Sequence, residues 1–325
     1  MTRVLCCLLS LLGGTALAAP VTEVHYVMGT LYRITVDTGA RPAMRACFQD
    51  ARRLEEVFSR FLAASELSGV NETAGRPRRV SPDFARLFAE SERLSALTDG
   101  AFDVTIGPLT ALWRRAGGAP TARQVSAART HVGAGRATLA GDVLTLPAGA
   151  RLDFDGIAKG YAVDRCVELL RAAGVERALV SLGESSLYGL GVPEDAPDWA
   201  FAVRGADPEQ AVGVLHLKDA AASVSSVFAD GERGAVGHIV DPRSGRPLVR
   251  EAIAVAIAPT ATAAEAYTKA LLLWGADGVE RLEGHGAQGA VHVEGGVVHV
   301  GAGARRLGCF EAAPARLAVL REDVR

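Results

Sequence analysis

Between Arg151 and Leu182 the chain changes its hydrophobic period twice. Arg151 to Phe154 reads as a strand, Ile157 to Ala173 carries apolar residues at helical spacing, and Ala178 to Leu182 is a short apolar run of the buried-strand kind. Such close alternation leaves room for little but a mixed fold in which helices lie against sheet. Between the first strand and the helix stands Gly156, with Lys159 in the helix's first turn. A strand passing into a helix through glycine aims backbone amides and a helix N-terminus at an anion. A lysine in that turn works against the helix dipole, and contact with a phosphate or carboxylate would justify it.

The rest of the chain agrees with a mixed fold. Val24 to Val36 alternates around Met28-Gly29-Thr30, a hairpin with a tight turn. Arg41 to Phe61 has a helical period, and a second helix runs Asp83 to Leu97, begun by Ser81-Pro82 and ended by Thr98-Asp99-Gly100. Residues 117–141 read as a small helix with loops. Ala200 to Val203, Val212 to Leu217 and Ala252 to Ala258 read as strands, and Ala263 to Trp274 as a helix. Gly295-Gly296, between Ala290 to Val293 and Val297 to Val300, supplies the positive φ of a two-residue hairpin turn. No repeat or clean linker interrupts the pattern. The expected fold class is α+β, or α/β with some antiparallel pairing, in a single domain over residues 19–325.

Arg3, the apolar run Val4 to Leu12, Gly13-Gly14 and the small residues Ala16-Leu17-Ala18 form a secretory signal over residues 1–18. That run is too short to span a bilayer, and no later segment offers the roughly 20 apolar residues a membrane helix needs. A soluble, exported protein, most simply periplasmic, is the expectation. Cys47, Cys166 and Cys309 then remain, too widely spaced for a metal cluster; three buried thiols are favoured over one bridge and a free thiol. A formal net charge of -2 with both signs mixed excludes a nucleic-acid surface and points to a small molecule or a protein as partner.

Several further motifs stand in a particular order: Met28-Gly29-Thr30, Phe58-Ser59, Ser65-Glu66-Leu67 with Asn71, GAFDVTIGPL from Gly100 to Leu109 with Trp113, LDFDGIAKGYAVD from Leu152 to Asp164, VSLG from Val180 to Gly183, and GHIVDPRSGRP from Gly237 to Pro247. In that order, over nearly all of the chain after the leader, they resemble the ApbE family of flavin transferases. The resemblance implies an ApbE-like fold and an enzyme that cleaves the pyrophosphate of FAD, joins the FMN half to a Ser or Thr of an exported acceptor flavoprotein and releases AMP. It also implies magnesium. Carried over by position, Met28, Ala101, Phe102 and Asp103 would line the flavin cleft, Asp153 and Lys159 would touch the dinucleotide, and Ser225, His238 and Asp241 would belong to the same cleft. His238 and Asp241 are the candidates for the base that deprotonates the acceptor hydroxyl.

The resemblance breaks at the metal. Family members carry an Asp and, four residues later, a Thr on the helix after the Ala252 to Ala258 strand, which hold the ion with a carbonyl near Gly156. Here Glu265 and Lys269 occupy those places, with Thr268 adjacent. Magnesium demands oxygen ligands at about 2.0–2.1 Å, which an ammonium opposes. Either Lys269 supplies part of the ion's charge or the site has decayed, and the alternative function is then an FAD-binding homologue without turnover, a flavin carrier or an accessory factor in assembling a redox complex. Glu184 is a second departure, a carboxylate where a glycine is usual and a repulsive neighbour for a pyrophosphate unless it turns away.

Overall fold

The computed structural model describes residues 20–115, 119–207, 209–228 and 239–313. The expected leader and His238 lie outside them. Among the described residues, eight strands form one sheet in the order Pro20–Val27, Thr30–Asp37, Ala178–Leu182, Ser186–Leu190, Ala220–Val227, Ala252–Ala258, Gly289–Glu294 and Val297–Val300, and every neighbouring pair is antiparallel. Both expected hairpins are present. Met28 and Gly29 turn the first with φ of 51° and 75°, and Gly295 and Gly296 turn the second with φ of 58° and 80°.

The strand Ala252–Ala258, AIAVAIA, is wholly buried because both of its faces are covered. Its alanines join the core formed with the helices, while Ile253, Val255 and Ile257 pack against a three-stranded sheet that includes Trp199–Arg204 and Ala211–Leu217. The small side chains let the helix Ala261–Trp274 settle close to the sheet, and five of its alanines are buried: Ala261, Ala263, Ala264, Ala266 and Ala270. Helix Arg41–Phe58 turns Met44, Cys47, Phe48, Ala51, Leu54, Val57 and Phe58 to the same core, as its 3.6-residue spacing requires. Cys47, Cys166 and Cys309 are buried free thiols.

Two helices meet almost backbone to backbone. Gly160, in the helix Ala158–Ala172, lies so near the start of Ala261–Trp274 that a Cβ would stand 2.4 Å from the Ala261 carbonyl oxygen. One turn later Asp164 reaches across the same junction and accepts the N–H groups of Ala261 (2.7 Å) and Thr262 (2.9 Å), capping the second helix from the first.

The expected strand from Arg151 to Phe154 is absent. Arg151 makes one isolated bridge to Ile106, and the backbone groups that follow are taken by other partners.

Candidate active site

The loop Leu152 to Ile157 is pinned from three directions. Asn71 donates to the Leu152 carbonyl (3.0 Å) and accepts from the Leu152 N–H (2.7 Å), while the Asp153 N–H donates to the Val104 carbonyl (2.8 Å). Phe154 is fully buried and edge-on to Phe58 and Phe84. The helix Ala158–Ala172 therefore starts at a fixed place, on the wall of a cavity that Gly156 and Lys159 line. Its volume is about 550 Å³, within the usual range for a small-molecule site.

The same wall carries Ala101, Phe102, Asp103, Asp153, Ser225 and Lys269, so eight of the candidate residues, counting Gly156 and Lys159, converge. Asp103 is largely occupied: one carboxylate oxygen accepts the Thr105 N–H (2.7 Å) and hydroxyl (2.6 Å), and burial raises its pKa. Met28 is outside the lining. It sits at the hairpin turn beside Thr30, whose side chain lies against Gly183, a cavity residue. Asp241 is outside the lining too, although Ile239, Val240 and Pro242 are in it, and its carboxylate closes its own turn by accepting the N–H groups of Arg243 (2.9 Å) and Ser244 (3.3 Å).

Three groups that the motifs did not single out complete one side. Arg60 pairs closely with Asp155 and lies 3.7 Å from Asp153; Arg114 is 3.4 Å from Asp153, and the Thr110 hydroxyl donates to it at 2.7 Å. Burial and then the like charge of Asp153 push Asp155 up to about 6, against the pull of Arg60. No spacing in the sequence marked Arg60 or Arg114, which stand at and beyond helix ends and meet only through the fold.

Lys159 and Lys269 form a charged triad with a carboxylate behind them. Glu265 is fully buried, accepts the Ser186 hydroxyl in a short contact and lies 3.7 Å from the Lys159 ammonium, which donates to the Ser185 hydroxyl at 2.8 Å. Burial alone would raise the Glu265 pKa, but Lys269 and then Lys159 hold it below its ordinary value. Burial brings Lys269 down to about 8 in spite of Glu265. The stem of Lys269 passes over Gly156, its Cε 3.7 Å from where a Cβ would stand.

These residues do not fit magnesium. The Thr268 hydroxyl is turned to the sheet, at 2.8 Å from the Ser225 hydroxyl and 2.9 Å from the Glu265 carbonyl oxygen. Glu265 has two ammonium groups for neighbours, and among the described residues no three His, Cys, Asp or Glu converge as a metal group. With Gly156 offering only backbone, the octahedral oxygen cage of a magnesium site is missing here. Glu184, by contrast, presents no obstacle: it is half-exposed, adopts φ of 53° and faces Arg33 and Arg204, each 3.9 Å away, outside the lining.

A model of the ApbE family matches residues 28–291. An FAD:protein FMN transferase of Vibrio cholerae is 32% identical over 281 residues, covering 79% of this chain and 83% of that one. One of Salmonella typhimurium is 30% identical over 302 residues, covering 83% and 84%. Of solved structures, the apo form of the Pseudomonas stutzeri flavinyl transferase ApbE superposes with a TM-score of 0.79 at 26% identity, covering 90% of this chain and 98% of that one. The ApbE protein of Thermotoga maritima gives 0.81 at 25% identity, covering 90% and 100%.

Proposed function

Since the chain belongs to the ApbE family, we infer that it is an FAD:protein FMN transferase, and that the cavity between Phe102, Asp153, Lys159 and Ser225 is where FAD binds. The observation that carries the assignment of the site is the convergence on one cavity of the helix N-terminus at Gly156, the Lys159 ammonium and the apolar Ala101-Phe102 wall. An anion needs the first two and a planar ring the third.

The reaction is a phosphoryl-type transfer. The acceptor's Ser or Thr oxygen forms a bond to the FMN-side phosphorus of FAD, the bridging P–O bond breaks, and AMP leaves with the bridging oxygen and both electrons. The hydroxyl proton passes to a base. Lys159, held by Ser185, is placed to take up charge on the diphosphate, and the amides after Gly156 add the helix dipole. Arg60 and Arg114, tied to Asp155 and Asp153, form a neutral rim that positions without adding net charge. Asp241 is already engaged by two backbone N–H groups, so His238 is the base to test first.

The acceptor is taken to be an exported flavoprotein, and the compartment the periplasm, on the strength of the leader Arg3 to Ala18. No helix of the described residues is long and apolar enough to cross a membrane. The test incubates the protein with FAD and an acceptor domain, with and without magnesium, and follows covalent flavin fluorescence on the acceptor together with AMP. Both products are expected. FAD bound with neither product would leave the carrier reading standing in place of the transferase.

A further inference from the structure

We propose that the ammonium of Lys269 stands in for a divalent cation, so that this chain holds the diphosphate of FAD with Lys159, Lys269 and the amides after Gly156, and needs no metal ion to do so. The inference rests on the FAD reading above and adds to it the source of the positive charge.

The geometry supports the exchange from both sides. Seen from the metal, every expected side-chain ligand is committed or of the wrong sign: Thr268 bonds to Ser225 on the sheet, Glu265 is buried behind Lys159 and Ser186, and Lys269 carries a positive charge. A dication placed against Glu265 would share its single carboxylate with two ammonium groups and be repelled by both. From the ligand's side, Lys159 and Lys269 both line the cavity whereas Glu265 does not. Glu265 and Lys269 are four residues apart on one helix, and the carboxylate offsets one of the two positive charges, which leaves one net charge facing the cavity. Among the described residues the Lys269 ammonium makes no hydrogen bond and no ion pair within 4 Å. Its stem lies over Gly156, in ordinary contact distance of where a Cβ there would stand, beside the amides that an anion would meet. Glu265 therefore serves as a positioning residue. It keeps two lysines side by side that would otherwise repel each other.

The experiment measures FAD affinity of the purified protein by flavin fluorescence, in EDTA and in excess magnesium, with elemental analysis of the flavin-loaded protein. The expected result is the same affinity in both buffers and no stoichiometric magnesium. Lys269→Met should weaken FAD by about tenfold or more in both buffers, and Lys269→Arg should keep most of the affinity, which separates lost charge from misfolding. The double variant Glu265→Asp with Lys269→Thr should become magnesium-dependent. Stoichiometric magnesium in the wild-type protein, or a loss of about tenfold or more in EDTA, overturns the inference while leaving the FAD reading intact. No FAD binding in either buffer overturns both.

Discussion

Gly160→Ala tests whether the junction of two helices sets the floor of the site. The added methyl would stand 2.4 Å from the Ala261 carbonyl oxygen, 2.6 Å from the carbonyl carbon and 2.8 Å from the Thr262 nitrogen, all backbone atoms with no rotamer to escape into. Ordinary contact needs about 3.5 Å, so the helices must part by about 1 Å. Overpacking of this kind costs about 1–3 kcal/mol. Stretching the Asp164 caps on Ala261 and Thr262 adds about 1 kcal/mol. Alanine's better helix propensity returns about 1 kcal/mol, for a net loss of roughly 1–3 kcal/mol. In a chain of this length that lowers the melting temperature by about 2–5 °C. The Gly160 N–H also supports Glu265, so FAD affinity should fall with stability. Calorimetry and flavin titration on the same preparation check both. A melting temperature within about 1 °C of wild type, with unchanged affinity, would refute the idea that this contact fixes the floor.

Further outcomes can be measured on the same protein. Lys159→Met should weaken FAD about 10- to 100-fold, since it removes the charge beside the diphosphate and the bond to Ser185; an affinity within about twofold of wild type would count against the site. Asp155 titrates at about 6, and a bound diphosphate favours its protonated form, so binding takes up a proton. Affinity should then rise as pH falls through about 6, by at most about tenfold per pH unit, and Asp155→Asn should flatten the profile in calorimetric titrations. Glu184→Gly should raise stability by about 1 kcal/mol, seen as a higher melting temperature, because a residue with a Cβ now holds φ of 53°.

Much of the framework could be read from the chain, and the failures have identifiable causes. The two hairpins announced themselves through glycines at positive φ, and AIAVAIA could only be a strand covered on both faces. Ser186–Leu190 and Ala220–Val227 escaped notice because SLYGL is short and interrupted by Gly189 and AAASVSSV is made mostly of small residues; they are strands by virtue of their neighbours on either side. Arg151 to Phe154 has a strand's composition, but Asn71 and Val104 take its hydrogen bonds, a decision made 81 residues away in the case of Asn71. In the site, the ordered motifs led to Phe102, Asp153, Lys159 and Ser225 on one cavity. Ser186 and the two arginines gave no local signal, since their relevance comes from charges that meet only after folding. The direction Glu184 faces was equally hidden, for φ and the nearby Arg33 and Arg204 decide it.

The cavity wall is assembled from Arg60, the Ala101 to Arg114 stretch, Asp153 to Lys159, Ser225, Pro242 and Lys269 to Leu273, scattered over most of the chain. No partial length contains a binding site, and the last wall segment is made close to the end of synthesis. If the expected leader threads the chain through a membrane unfolded, it arrives without flavin, and loading waits until the helix Ala261–Trp274 has docked. Supply of FAD on the far side, rather than synthesis of the protein, would then set how much of it can work.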